Sequence, residues 1–496
     1  MAFLHPKSSF PPTDWEYWYM KYYEWAAWYS GDPELLLKHY TMMASGNKTA
    51  QEKFWARLES EERAGIVHMP AAGDIASTSG NLLFAENPRH KYEESNDSGK
   101  RIKTFIDENG LDNILLEGAE IAAALSGCML KIDIDPSLIK IPIVNIISPT
   151  QFFPTFWRGR LHEVLFFRVV HVDKSGKVYR LFENRRKENN VLLIEYQLHK
   201  GTDSTVGPKI DFNLLEETAN KNLESVEYPN VDGLGCIYCP NMKPNRLSVG
   251  SYLGINDYHD VITMMDSLDF TWTSLMRDIE LGMAQIFIDE ELLSKNKNET
   301  SGGLTYLNRF SKFQKAFTKL NLTSWRMGGE TGAKPIDSIQ FEIRVDQHLK
   351  TIKELFLNII SLSGYSPQTF GLGDAGSSAE SGAARKLREN KSQLTRNKKE
   401  RYWLPVIKSL FTQMQQLDVS SNLTTTYSSQ EVTTELEDSI VIDPREQSEV
   451  LRNLEQARAI SSYMKIKLLH PDWDDIKIKQ EVDNINKETG ITAEII

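Results

Sequence analysis

Few residues in this 496-residue chain have types and spacings that could do chemistry. Cys236-Ile-Tyr-Cys239 has the C-x-x-C spacing of a metal-binding or redox pair. A structural zinc takes four ligands, and Cys128 is the only other cysteine, so this chain supplies no second pair. A symmetric neighbour supplying one stays open. His470-Pro-Asp-Trp-Asp-Asp is the densest polar cluster, and Pro471 with its acids fits a helix-to-helix turn better than a ligand set. There is no G-x-x-x-x-G-K-[ST] phosphate loop, no H-E-x-x-H and no G-x-S-x-G, which argues against the usual ATP hydrolysis, zinc-protease and serine-hydrolase chemistries. Gly233-Leu-Gly235 lacks the third glycine of a dinucleotide fingerprint. Carboxylates are plentiful, so a metal-dependent nuclease triad stays open as a second functional class. The simpler reading puts these acids on the solvated faces of amphipathic helices.

One other stretch is unusual in charge rather than in catalytic type. Residues 366–384 are rich in Gly, Ser and Ala, with Asp374 and Glu380 their only charges. Residues 385–401 then hold eight Lys/Arg against two acids, Glu389 and Glu400. The whole chain carries −11, which argues against a protein that coats nucleic acid but not against contact at one place.

The elements that position these residues follow from pattern. The length suggests two to four structural units, and 40% hydrophobic with 25% charged residues is a globular composition. No apolar run approaches the roughly 20 residues of a membrane helix. The N-terminus lacks signal-peptide order, and three cysteines fit a reducing compartment, so a cytoplasmic origin is expected. Trp15, Trp18, Tyr22, Trp25 and Tyr29 step by three and four, predicting a helix with an aromatic face. A core or subunit-contact helix is the first reading; a base-stacking surface is the second, with Lys21 its only cation. Residues 111–127 predict a helix. The runs 161–173, 177–185 and 191–200 predict an antiparallel meander, and 201–250 a loop-rich region.

Two long helices are predicted next. Asn256 to Leu281 carries a seam of Val261, Met265, Leu268, Trp272, Leu275 and Ile279, with Asp257, Asp260, Asp266, Asp269, Asp278 and Glu280 on its other faces. Val345 to Leu362 carries Val345, Leu349, Ile352, Phe356 and Ile359 on one face. Between them 285–293 and 338–344 predict strands around polar and basic stretches. The basic helix is expected to reach about Gln416, with Pro405 kinking or breaking it. Residues 423–429 and 439–443 are strand candidates. The last fifty residues predict helices, one opening at Pro444 and one over about Asp474 to Thr489.

GYSPQTFGL, its Gly/Ser loop and AARKLRENKSQLTRNKKERYW resemble the tunnel-loop and long-helix region of portal proteins, the head-to-tail connectors of tailed double-stranded DNA bacteriophages. WAAWYSGDPELLLKHY (25–40), NDYHDVITMMDSLDFTWTSLMRDIE and the C-terminal ISSYMKIKLLHPDWDDIKIKQEVDNI resemble the family's N-terminal segment, stem helix and C-terminal helices, in the same order.

The resemblance implies an α+β portal fold in a ring oligomer of about twelve subunits. It implies a wing (1–250), a two-helix stem (251–283 and 342–365) and a small β-containing clip (284–341). A tunnel loop (366–384), a long wing helix and strand (385–443) and a helical C-terminal crown (444–496) complete it. It further implies no catalytic residue, metal or cofactor. The expected partners are double-stranded DNA in the channel, a terminase that hydrolyses ATP elsewhere, the major capsid protein and a head-completion (adaptor) protein, with no membrane. The expected location is the portal vertex of the virion, after assembly in the host cytoplasm. Thr369, Gly371, Gly373, Asp374, Gly376, Ser377, Ser378, Arg385, Lys386 and Arg388 are the expected DNA-channel residues. For the basic run two readings stand. Arg385, Lys386 and Arg388 face DNA while stem acids line the rest of the channel, or the whole run pairs with acidic faces of a neighbouring wing.

Overall fold

A computed structural model describes residues 3–44, 51–58, 65–215, 218, 223, 225–281, 285–289, 317–320, 336–339, 344–372, 382–424, 427–436, 444–470 and 473–488. It is an α+β chain.

The N-terminal part is helical: α1 (Thr13–Ser30), α2 (Pro33–Ala44), α3 (Phe54–Arg57) and α4 (Ala71–Phe84). Gly31, at φ +67°, closes α1 in the left-handed conformation that a side chain disfavours. The aromatic face of α1 is core: Tyr22, Trp25 and Trp28 are buried with α2, α4 and the seam helices, and Trp28 Nε1 donates to Tyr40 Oη at 2.9 Å. The base-stacking reading is therefore overturned for these rings.

After the short β1 (Arg89–Lys91) come α5 (Asp97–Asn109) and α6 (Leu111–Leu125). Asn96 caps α5 by accepting from Gly99 N–H. The sequence reading passed over three strands here: β2 (Gly127–Asp133), β3 (Ile143–Ile147) and β4 (Phe152–Trp157). Strand β2 opens with the run Gly127–Leu130, buried on both faces, which has no alternation for a pattern to detect.

The predicted meander forms as β5 (Arg160–Val172), β6 (Val178–Glu188) and β7 (Val191–Gly201), extended by β4 on one side and by β8 (Lys209–Ile210) and β9 (Val226–Pro229) at β7. Its alternation sorts the faces. Val164 and Phe166 join the main core, whereas Leu165 and Phe167 face Phe10 and Phe182 under the N-terminal segment. The loop-rich region also holds β10 (Cys236–Pro240), which pairs with β2, itself paired with β3.

The first seam helix, α7 (Ile262–Leu281), follows a 3₁₀ turn at His259–Val261, later than the predicted start at Asn256. The second, α8 (Val345–Leu362), has the predicted bounds. They run antiparallel: Asp278 near the end of α7 bonds Arg344 and His348, and Asp257 before α7 bonds Tyr365 after α8. The seam closes only at one end. Val261, Met265, Leu268, Leu275, Ile352 and Ile359 are buried, but Ile279, Val345 and Leu349 are exposed, contrary to the seam reading.

Between these helices β11 (Gln285–Asp289) lies at the centre of a small sheet, parallel to β12 (Phe317–Leu320) and antiparallel to β13 (Ile336–Ile339). Phe317, Thr318 and Lys319 of β12 belong to the basic stretch RFSKFQKAFTK, whose pattern does not predict a strand.

The long helix α9 (Gly382–Ser420) continues past Pro405 rather than breaking there. Its second half buries Trp403, Ile407, Leu410, Phe411 and Met414 in the main core. The expected strand at 423–429 does not form among its described residues; β14 (Thr433–Glu435) forms instead and pairs with β1. The other candidate, 439–443, lies outside the described residues. The C-terminal helices are α10 (Pro444–Gln456), α11 (Ser462–Leu469) and α12 (Asp475–Glu488), with His470 stacked on Trp473 at the turn between the last two. No helix among the described residues is long and apolar enough to cross a membrane.

Candidate functional site

The connector from α8 to α9 begins as packed structure. A 3₁₀ turn spans Pro367–Phe370, and Phe370 and Leu372 rest against the helical core. Ser366 N–H donates to Ser392 Oγ at 2.9 Å, and Thr369 Oγ1 lies 2.8 Å from the same hydroxyl. Gly371 sits at φ +72° with open space beside its Cα, so its hydrogen there is set by backbone conformation. The expected loose loop of 366–384 therefore loses both ends: 366–372 is fixed, and helix begins at Gly382. Gly373, Asp374, Gly376, Ser377 and Ser378 lie outside the described residues. Arg385, Lys386 and Arg388 are on the first turns of α9.

Further along, the basic helix is used within its own chain. Lys391 Nζ donates to Ser361 O, Thr395 Oγ1 to Gly364 O at 2.6 Å, and Arg396 Nε to Leu82 O at 2.8 Å. Lys391 and Ser392, then Thr395 and Lys399, fall about one turn apart on one face of α9: Lys391 meets the last turn of α8, Ser392 and Thr395 the connector, and Lys399 the segment before α7. Neither reading of the basic run foresaw this. Arg396 and Lys399 are buried inside their own chain, so pairing of the whole run with a neighbouring subunit does not extend to these two.

Lys399 is the centre of the arrangement. Its fully buried ammonium donates to Asp257 Oδ2 and to Ser79 Oγ, both at 2.5 Å. The same carboxylate accepts from Tyr365 Oη at 2.6 Å and from Asn241 Nδ2 at 2.7 Å. Four chain segments thus meet at one carboxylate, and Ser79 of α4 joins them through the ammonium. Burial pulls the Lys399 pKa below the usual lysine value, opposed by the Asp257 charge. Burial also holds the Tyr365 phenol well above its ordinary pKa, with Asp257 adding to the effect.

The acids of α7 differ from their predicted role as well. Asp266 and Asp269 are buried, not solvated. Asp266 accepts from Phe54 N–H at 3.0 Å. Asp269 accepts from Met69 N–H at 3.0 Å and Trp55 Nε1–H at 3.2 Å, and lies 2.8 Å from His68 Nδ1. Burial raises the pKa of both carboxyls, against the pull of these donors. Asp266 satisfies a backbone donor of α3, and Asp269 a ring donor of α3 and a backbone donor before α4, a structural use that leaves the nuclease reading without support from them.

Cys128, Cys236 and Cys239 are free and buried. Burial pushes the Cys236 thiol up to about 12, and raises Cys128 and Cys239 too, which disfavours thiolate chemistry. Among the described residues no group of His, Cys, Asp and Glu is arranged to hold a metal ion.

The model of one protein family, described as "Phage portal protein, SPP1 Gp6-like", matches residues 13–493. The solved structures with similar folds include a chain from "Neck of native GTA particle computed with C12 symmetry". That chain is 10% identical, with 80% of this chain and 89% of that one covered and a TM-score of 0.39, too low to carry weight here. No curated protein matches.

Proposed function

The chain belongs to the SPP1 Gp6-like family of phage portal proteins, and from that membership we propose that it forms a ring of about twelve subunits at one capsid vertex. Double-stranded DNA enters and leaves through its centre. The observation that carries this reading is the family match over 13–493, nearly the whole chain.

In this reading the wing is 1–250 with 385–443, the stem 251–283 and 342–365, the clip 284–341, the tunnel loop 366–384 and the crown 444–496. The antiparallel pair α7 and α8 with a small sheet between them supports the stem and clip assignments. Exposed Ile279, Val345 and Leu349 at the clip end of the stem support packing against neighbouring stems. The clip docks the terminase during packaging and the head-completion protein afterwards, and the ring's outer face meets the major capsid protein.

A loop beside sliding DNA works best when it binds weakly, because each neutralised phosphate adds affinity that must be broken again. Gly373, Asp374, Gly376, Ser377 and Ser378 suit that requirement, and Thr369 and Gly371 belong to the fastened turn that leads into them. With Lys391, Arg396 and Lys399 engaged inside the chain, Arg385, Lys386 and Arg388 are the run's candidates for facing the channel.

Rings of about twelve such chains carry about −130, so closure needs strong heterologous contacts that offset self-repulsion. The test is a negative-stain image with a light-scattering mass in moderate salt. A ring of about a dozen subunits is expected. A protein that stays monomeric at high concentration overturns the reading.

A further inference from the structure

Two turns form a patch unlike the rest of this acidic chain. The β4–β5 hairpin closes through Arg158 and Gly159, at φ +47° and +79°, with Trp157 paired to Arg160. Both turn residues are left-handed, the geometry for which Asn-Gly is favoured. Glycine at 159 meets this demand and lets Tyr252 come close. Arginine at 158 does not, and an unfavoured residue held at an exposed turn points to a use for its side chain.

Beside the hairpin lies the 243–252 turn. Tyr252 packs on Phe156 at 5.4 Å, and Lys243 lies 5.4 Å from the Tyr252 ring. Trp157 is 65% exposed, Tyr252 42% and Val249 91%. Residues 157–160 and 241–253 contain Arg158, Arg160, Lys243 and Arg246 and no acid; Arg246 reaches Asp260. Exposed Trp, Tyr and Arg beside an aliphatic side chain is the composition of a protein-binding hot spot rather than of a phosphate track.

The complementary surface is at the far end of α6. The residue that follows α6 touches the patch's own segment, Asn241 N–H donating to Ser126 O. The N-terminal end of α6, about 22 Å away for 15 residues, carries the α5–α6 corner. There Asp107, Glu108 and Glu117 are exposed, and no Lys or Arg occurs from 104 to 130. One chain thus presents a basic aromatic patch and an acidic corner at opposite ends of one helix, as a head-to-tail contact requires. We propose that the Trp157–Arg158–Tyr252 patch of one subunit seats the Asp107–Glu108 corner of the next copy of this chain. This rests on the ring reading above.

The test sizes four proteins by native mass spectrometry in moderate salt, each with a circular-dichroism melt. These are the wild type, Arg158→Asn, Arg158→Glu/Arg160→Glu, and that double variant with Asp107→Lys/Glu108→Lys added. The wild type is expected to assemble. Arg158→Asn suits the turn better, so it keeps or raises the melting temperature while raising the subunit concentration for assembly about tenfold. The double reversal stays unassembled, and the fourfold variant, with both charges exchanged at every contact, reassembles. A double reversal that assembles like the wild type overturns the patch while the ring reading stands. If the double reversal does not fold, an Arg158→Asn protein that assembles like the wild type overturns it equally. A folded fourfold variant that stays apart overturns the acidic corner as the seat. A monomeric wild type removes the ring reading itself.

Discussion

The Lys399 ammonium lies 2.5 Å from Asp257 Oδ2, both groups shut away from solvent. This pair joins the long helix to the segment before α7, and Tyr365, after α8, donates to the same carboxylate. Breaking such a pair leaves a bare buried charge. Lys399→Ala is therefore expected to destabilise the protein by about 3–5 kcal/mol. Lys399→Met with Asp257→Leu removes both charges and should recover at least half of that loss. Urea denaturation of the three proteins checks this; equal losses for the single and double variants would contradict it.

His90 predicts an acid-side loss of stability. Its Nδ1 meets Thr434 Oγ1 from β14 at 2.9 Å, its Nε2 is buried 3.9 Å from Asp112 of α6, and the Phe411 ring of α9 lies beside it at 4.9 Å. Burial lowers its pKa to about 4, below the ordinary histidine value. The unfolded chain therefore binds the proton more readily than the folded one between about pH 6.5 and 4. The stability contribution is present above that window and is lost as pH falls through it, on the order of 2 kcal/mol. His90→Gln should flatten the difference in melting temperature between pH 7 and pH 5; an unchanged slope would show that other groups set it.

Changing Arg385, Lys386 and Arg388 together to Ala should leave rings intact and alter DNA retention or packaging, because the residues that fasten α9 lie further along it. Ring counts by electron microscopy and packaged DNA per particle are the readouts. Dissociated rings, or rings newly sensitive to salt, would assign the three cations to subunit contact instead.

Removing 291–336 should abolish rings or packaging while leaving the rest of the chain folded. About sixty residues make a marginal core, so the proposed clip is expected to gain stability from its neighbours. Strand β11 is flanked on both sides within its own chain. Pairing between subunits must therefore use the outer edge of β12 or β13. Normal packaging by the deleted protein would reject the assignment.

The sequence made the periodic elements legible: the meander with its alternating faces, and α8, whose apolar residues step by three and four. It was less informative wherever burial removed periodicity. Strand β2 opens with an apolar run buried on both faces, Gly127–Leu130, and β12 overlaps a stretch that reads as basic. Polar contacts were hardest to foresee. Asp257, Asp266 and Asp269 look like a solvated face because one helix in isolation does not reveal which donors will cover it. The available signal lay in Lys391, Ser392, Thr395 and Lys399, polar residues recurring at helical spacing on one face. Such a row has the period of a docking seam even though it contains no apolar side chain.

Helix α9 has 39 residues and is about 58 Å long. Its far half is set in the main core, and the polar row grips the connector nearer its start. Mechanically this is a beam clamped along its length rather than a lever: Trp403 is set in the core, Lys399 and Arg396 are tied to Asp257 and Leu82, and Lys391 is tied to Ser361. The connector is fastened to it at Ser392 and Thr395, one turn apart, so a shift of the helix carries the start of the connector with it. The first turns of the helix lead out of 373–381 from this clamped base.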